Sequence, residues 1–159
     1  MNRAHVEAWD WDLVAQDFEA DGSLRDIYLR GATVADWRTV LAIVARGPHQ
    51  ATFRRANEIV ALPTEIEDLF GTPDLSLSFR VAGIELACHF FARDEIELDF
   101  VPDGISPAAL RGLLAFMAEI GKATGKEVIM TPENLRETPL FRYEPGSGVL
   151  KWIPTASRD

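Results

Sequence analysis

The chain has 159 residues, a formal net charge of −9, 47% hydrophobic and 26% charged residues, and a single cysteine. A chain of this length is expected to form one domain, residues 1–159, burying about 68–70% of its unfolded surface, and no apolar run approaches the ~18–20 residues of a membrane span. The acid excess argues against a nucleic-acid partner, whose phosphates need clustered Lys and Arg; it leaves a basic protein partner, or plain solubility, as the meaning of the charge.

The first residues, Met1 to Glu7, show no basic stretch followed by an apolar one, so no secretory signal is expected. Cys88 can form no internal disulfide, and with the absent signal it points to a reducing, cytoplasmic location. Residues 1–23 allow two readings: Val6, Trp9, Leu13 and Phe18 line a loose helix, or Trp9, Trp11 and Leu13 alternate on a strand. Asp21-Gly22 is a turn signal, and Leu24 to Arg30 reads as a strand, with residues 13–19 a candidate hairpin partner. Thr33 to Arg46 is expected to be a helix, with Thr33 as N-cap, Asp36 in the first turn and Gly47-Pro48 ending it. Residues 51–53 and 58–62 read as short strands, and residues 63–70 as a short acidic helix.

Three runs of alternating polarity follow, over residues 75–101. Leu75, Leu77, Phe79 and Val81 share one side; Ile84, Leu86, Cys88 and Phe90 share it on the next run; Ile96, Leu98 and Phe100 on the third. Strict alternation is the signature of a strand with one buried face. If Ala82-Gly83 is a two-residue turn, Leu77 opposes Cys88; if Ala92 to Asp94 is a three-residue turn, Cys88 opposes Leu98 and Phe91 opposes Glu95. Ser106-Pro107 then opens a second long helix running to residue 124, whose interior holds Gly112 and Gly121. Each of these glycines costs roughly 1 kcal/mol of helix propensity, for which close packing on the sheet would compensate. Residues 127–131 read as a strand beside and parallel to 95–101, residues 133–137 as one or two helical turns, residues 140–143 and 149–153 as a hairpin, and 155–159 as a polar tail. The expected class is therefore α+β: a mainly antiparallel sheet with a central meander (75–101), covered on one face by two long helices (33–46 and 106–124).

The polar side of the meander gathers the residues able to do chemistry. In the expected register His89 lies across from Glu97, with Asp99 two residues on, and a carboxylate beside an imidazole can orient it for general acid–base work. His89, Glu97 and Asp99 are thus the weak catalytic candidates; the plain alternative is a surface cross-strand pair. Glu95, Glu97 and Asp99 share one strand face, but same-face residues nearly 7 Å apart are too widely spaced for three direct ligands to a cation, so neither a metal nor a cofactor is expected. Cys88 falls on the apolar side and reads as core. Arg54-Arg55 is too small a basic cluster to bind nucleic acid. Trp9 and Trp11 alternate with Asp10 and Asp12, and with Glu95, Glu97 and Asp99 they are the candidate contacts for another protein. Two functions follow as expectations: a non-enzymatic interaction module (an acidic inhibitor, adaptor or immunity-type protein), or a small hydrolase or metal-assisted enzyme built on the His–carboxylate pair. An open edge strand would also permit self-association.

Overall fold

The computed structural model describes residues 5–154. Ten strands form one sheet: β1 His5–Val6, β2 Arg25–Arg30, β3 Thr52–Arg55, β4 Glu58–Val60, β5 Leu75–Val81, β6 Ile84–Ala92, β7 Glu95–Phe100, β8 Val128–Pro132, β9 Phe141–Glu144 and β10 Val149–Trp152. Their spatial order is β1-β10-β9-β8-β2-β7-β6-β5-β3-β4. The helices are α1 Trp11–Val14, continued by a 3-10 turn at Ala15–Phe18, then α2 Val34–Arg46 and α3 Pro107–Thr124.

This corrects the expected α+β layout of a meander (75–101) roofed by helices at 33–46 and 106–124. The meander is only three strands of a ten-stranded sheet whose order is mixed, and the helices are the minority element beside it. The physical reason lies in pairing at a distance. Alternation reports which face of a strand is buried, not which strand lies beside it. β2 inserts between β7 and β8 and is antiparallel to both, so the strand at 128–132 lies one place away from β7 instead of against it.

Smaller corrections have local causes. Residues 13–19 coil into α1 and the 3-10 turn, with Asp10 capping the start by accepting the Asp12 N–H at 2.9 Å. They pair with no strand. Residues 63–70 and 133–137 form isolated turns, too short to offset the cost of nucleating a helix. A bulge between His89 and Ala92 sets Ala92 against Glu95, so the turn has two residues and Phe91 is displaced from the position facing Glu95. The Ala82-Gly83 turn has positive φ at both residues, 51° and 82°, as a primed hairpin turn requires. Residues 1–4 and the expected tail at 155–159 lie outside the described residues.

The two faces of the sheet differ in kind. On one, Trp152, Phe141, Met130, Ile27, Leu98, Cys88, Leu77, Phe53 and Val60 oppose one another strand by strand, a single apolar rung crossing nine strands. α1, α2 and α3 all pack here. Trp37 of α2 stacks on Phe90 with ring centroids 5.3 Å apart, and its indole N–H donates to the Arg93 carbonyl at 2.9 Å. α3 lies close enough that a Cβ on Gly112 would sit 2.5 Å from Ala82 Cβ, and one on Gly121 would overlap the Tyr143 ring. Both helix glycines are thus explained by contact with the sheet. Among the described residues the other face carries no helix, and the candidate residues lie on it.

Candidate functional site

Strand alternation alone fixes which side chains reach the open face. One rung reads Lys151, Arg142, Ile129, Tyr28, Glu97, His89. The next reads Thr131, Asp26, Asp99, Ala87, Ser78, Thr52. A third brings Arg30, Glu95 and Ala92 together. The sheet therefore collects four carboxylates, Asp26, Glu95, Glu97 and Asp99, on two neighbouring strands, with His89 beside them on a third.

The segment following β8 lies over the β2 side of this face and buries part of it. Asp26 and Tyr28 are almost wholly enclosed. The Tyr28 hydroxyl donates to Asp26 Oδ2 at 2.7 Å, and the Asn134 N–H donates to the same oxygen at 2.8 Å. Burial and the adjacent carboxylate push the Tyr28 hydroxyl well above the usual phenol range. Glu133 accepts the Leu24 N–H at 2.7 Å and ties the segment to the start of β2. Arg136 reaches back over the sheet. Its guanidinium carbon sits 4.6 Å from the Tyr28 ring centroid, and Nη2 and Nε donate to the two oxygens of Glu95 at 2.6 and 3.2 Å. This combines a forked ion pair with a cation–π contact.

Beyond Arg136 the face is open. His89 Nε2 lies 2.8 Å from Asp99 Oδ2. That hydrogen bond, reinforced by the charges of Asp99, Glu97 and Asp26, raises the His89 pKa above its ordinary value against the opposing effect of burial. The Phe91 ring stacks on His89, centroids 5.0 Å apart and planes 10° from parallel, and is 65% exposed. Glu97, between Tyr28 and His89, is half-buried and has no hydrogen-bonding partner among the described residues. Its pKa is raised, first by burial and then by Asp26. Two depressions flank the group. One, of about 390 Å³, is lined by Arg54, Asn57, Asp74, Ser76 and His89. The other, of about 480 Å³, runs from Ser78, Ala87 and Asp99 to the first turn of α3.

The structure thus brings together Glu95, Glu97, Asp99 and His89. It does not bring Trp9 and Trp11 to them. Those indoles are half-buried on the helix-bearing side, 6.3 Å apart, with Trp9 edge-on to Phe141 at 6.4 Å. They roof the β9 end of the core. Asp26, Tyr28, Phe91 and Arg136 complete the cluster and were not singled out from the sequence. Asp26 and Tyr28 carry an alternation signal on β2, and Phe91 carries one on β6. Arg136 sits in an irregular segment where no period applies. Among the described residues no three His, Cys, Asp or Glu side chains are grouped so as to hold a metal ion, and no helix is long and apolar enough to cross a membrane. Among the described residues both sheet edges are short, two residues in β1 and three in β4. Comparison of the chain with protein-family models, with curated proteins and with solved structures found no match.

Proposed function

We propose that the chain is a non-catalytic protein-interaction module that docks a basic partner on the helix-free face of its sheet. The observation that carries this reading is the contrast between the two faces. One is closed by three helices over a continuous apolar rung; the other presents Glu95, Glu97 and Asp99 beside an exposed phenylalanine. A charged rim around an aromatic anchor is the composition of a transient protein interface, and the net charge of −9 steers a basic partner toward it. The test is affinity capture from the host's lysate with the wild-type chain and with Glu97→Gln/Asp99→Asn. A basic protein retained by the first, released by salt and lost with the second is the expected result. Retention that ignores both salt and the substitutions overturns the reading.

A second reading, a hydrolase using His89 as general base, has the 2.8 Å His89–Asp99 hydrogen bond in its favour. Against it, neither residue is hydrogen-bonded to a serine, threonine or cysteine among the described residues, and the flanking depressions are open to solvent. Hydrolytic turnover abolished by His89→Ala would establish it in place of the first.

A further inference from the structure

The chain already binds one arginine on its open face, and that contact shows what the face recognises. Arg136 lies over the Tyr28 ring while its forked donors engage both oxygens of Glu95. The next position along the sheet offers the same kinds of group, and there Arg136 and His89 act on the carboxylate through charge without a hydrogen bond. Phe91 offers an aromatic plate, backed by His89 and 65% exposed. Glu97 offers a half-buried carboxylate that accepts no hydrogen bond among the described residues. In the bulge Phe91 falls between His89, which pairs with Glu97, and Ala92, which pairs with Glu95.

The charges support a further cation. Asp26, Glu95, Glu97 and Asp99 outnumber the cations nearest them, Arg136 and a protonated His89, while Arg30 and Arg142 on the same rungs both pair with Glu127. Asp26 is already satisfied by Tyr28 and Asn134, and Asp99 by His89, which leaves Glu97 as the carboxylate short of a donor. The raised Glu97 pKa agrees, because a carboxylate lacking a donor in partly desolvated surroundings resists ionisation.

We propose that this second position, formed by Phe91 and Glu97, is an arginine-reading subsite that receives a guanidinium from the partner. The inference rests on the open face being the docking surface and adds the identity of the recognised group. A guanidinium fits where an ammonium does not, because its plane stacks on Phe91 while its edge forks onto Glu97; lysine presents a compact point charge that satisfies neither geometry as well. His89 holds the plate in place from beneath, and its link to Asp99 keeps that carboxylate from competing for the incoming group.

The experiment compares fluorescein-labelled hexa-arginine and hexa-lysine by anisotropy at fixed low ionic strength. Both peptides carry the same charge, so electrostatic attraction alone predicts equal affinity. The subsite predicts that hexa-arginine binds about fivefold more tightly, with Phe91→Ala and Glu97→Gln each removing most of that preference. Glu119→Gln, on the far side of α3, serves as a control that leaves binding unchanged. Both peptides binding with equal affinity, or a preference that survives both substitutions, overturns the subsite while leaving the acidic docking face intact. Binding of neither peptide overturns the docking face itself and the subsite with it. Phe91 is exposed and Glu97→Gln is isosteric, so both variants are expected to fold; a cooperative thermal unfolding transition in each checks this.

Discussion

At the scale of single residues, the open face trades stability for exposed charge, and two titrations make the trade measurable. His89 has a folded pKa above its unfolded value of about 6.5, held there first by the Asp99 hydrogen bond. Its contribution to stability is therefore full below the unfolded value and is lost as pH rises through the folded one. His89→Gln is expected to destabilise the fold at pH 5.5 and to have little effect at pH 9, as followed by urea unfolding. Asp99→Asn is expected to bring the His89 pKa down, as followed by the imidazole proton resonances. Glu97 has the opposite sign. Its folded pKa is also raised, but for an acid this means that ionisation opposes folding, so the penalty grows as pH rises above the unfolded value near 4.3. Glu97→Gln is expected to stabilise the chain at pH 7 and to lose that advantage below pH 4.

At the scale of elements, the two faces of α3 and the caps of α2 determine how the helix layer sits. Thr33 Oγ1 accepts the Asp36 N–H at 3.2 Å while the Asp36 carboxylate accepts the Thr33 N–H at 3.0 Å, a reciprocal capping box. Thr33→Ala is expected to cost about 1 kcal/mol in denaturant unfolding. Gly121→Ala is expected to cost about 1–2 kcal/mol despite the gain in helix propensity, because the new methyl meets the Tyr143 ring and the helix must lift from the sheet.

Local periodicity made some of this legible in the sequence. The pairing of Leu77 with Cys88 follows from alternation and turn length. Those of Cys88 with Leu98 and of His89 with Glu97 agree with a three-residue turn only because the bulge makes up for a turn of two. The ten-stranded order could not be read this way. β2 carries the same alternating signal whether it ends a hairpin or fills the middle of a sheet, and nothing within residues 25–30 names β7 and β8 as its neighbours. The carboxylates of β7 were legible as a row for the same reason that Arg136 was not. A strand's period assigns each side chain to a face, whereas an irregular segment declares its contacts only in three dimensions.

At the scale of the whole molecule, Cys88 reports on the fold as a unit. It is 2% exposed in the middle of the apolar rung, and burial pushes its thiol up to about 12, with Asp99 and Glu97 on the other face adding to the shift. A thiol so placed reacts only when the sheet opens. Modification by a disulfide reagent at pH 8 is expected to be about a hundredfold or more slower in buffer than in denaturant. Rapid labelling in buffer would show that β6 opens independently of its neighbours.

The insertion of β2 between β7 and β8 also has a consequence for biosynthesis. This strand leaves the ribosome early, yet its first sheet neighbour is made some 65 residues later and its second about 100 later. Until both arrive, Ile27 and Leu29 and the unpaired main chain around them have no native shelter, so the emerging polypeptide must keep an adhesive ribbon from finding the wrong company. Closure around this late-sealed seam, with its many distant pairings, is expected to govern how fast the newly made chain matures.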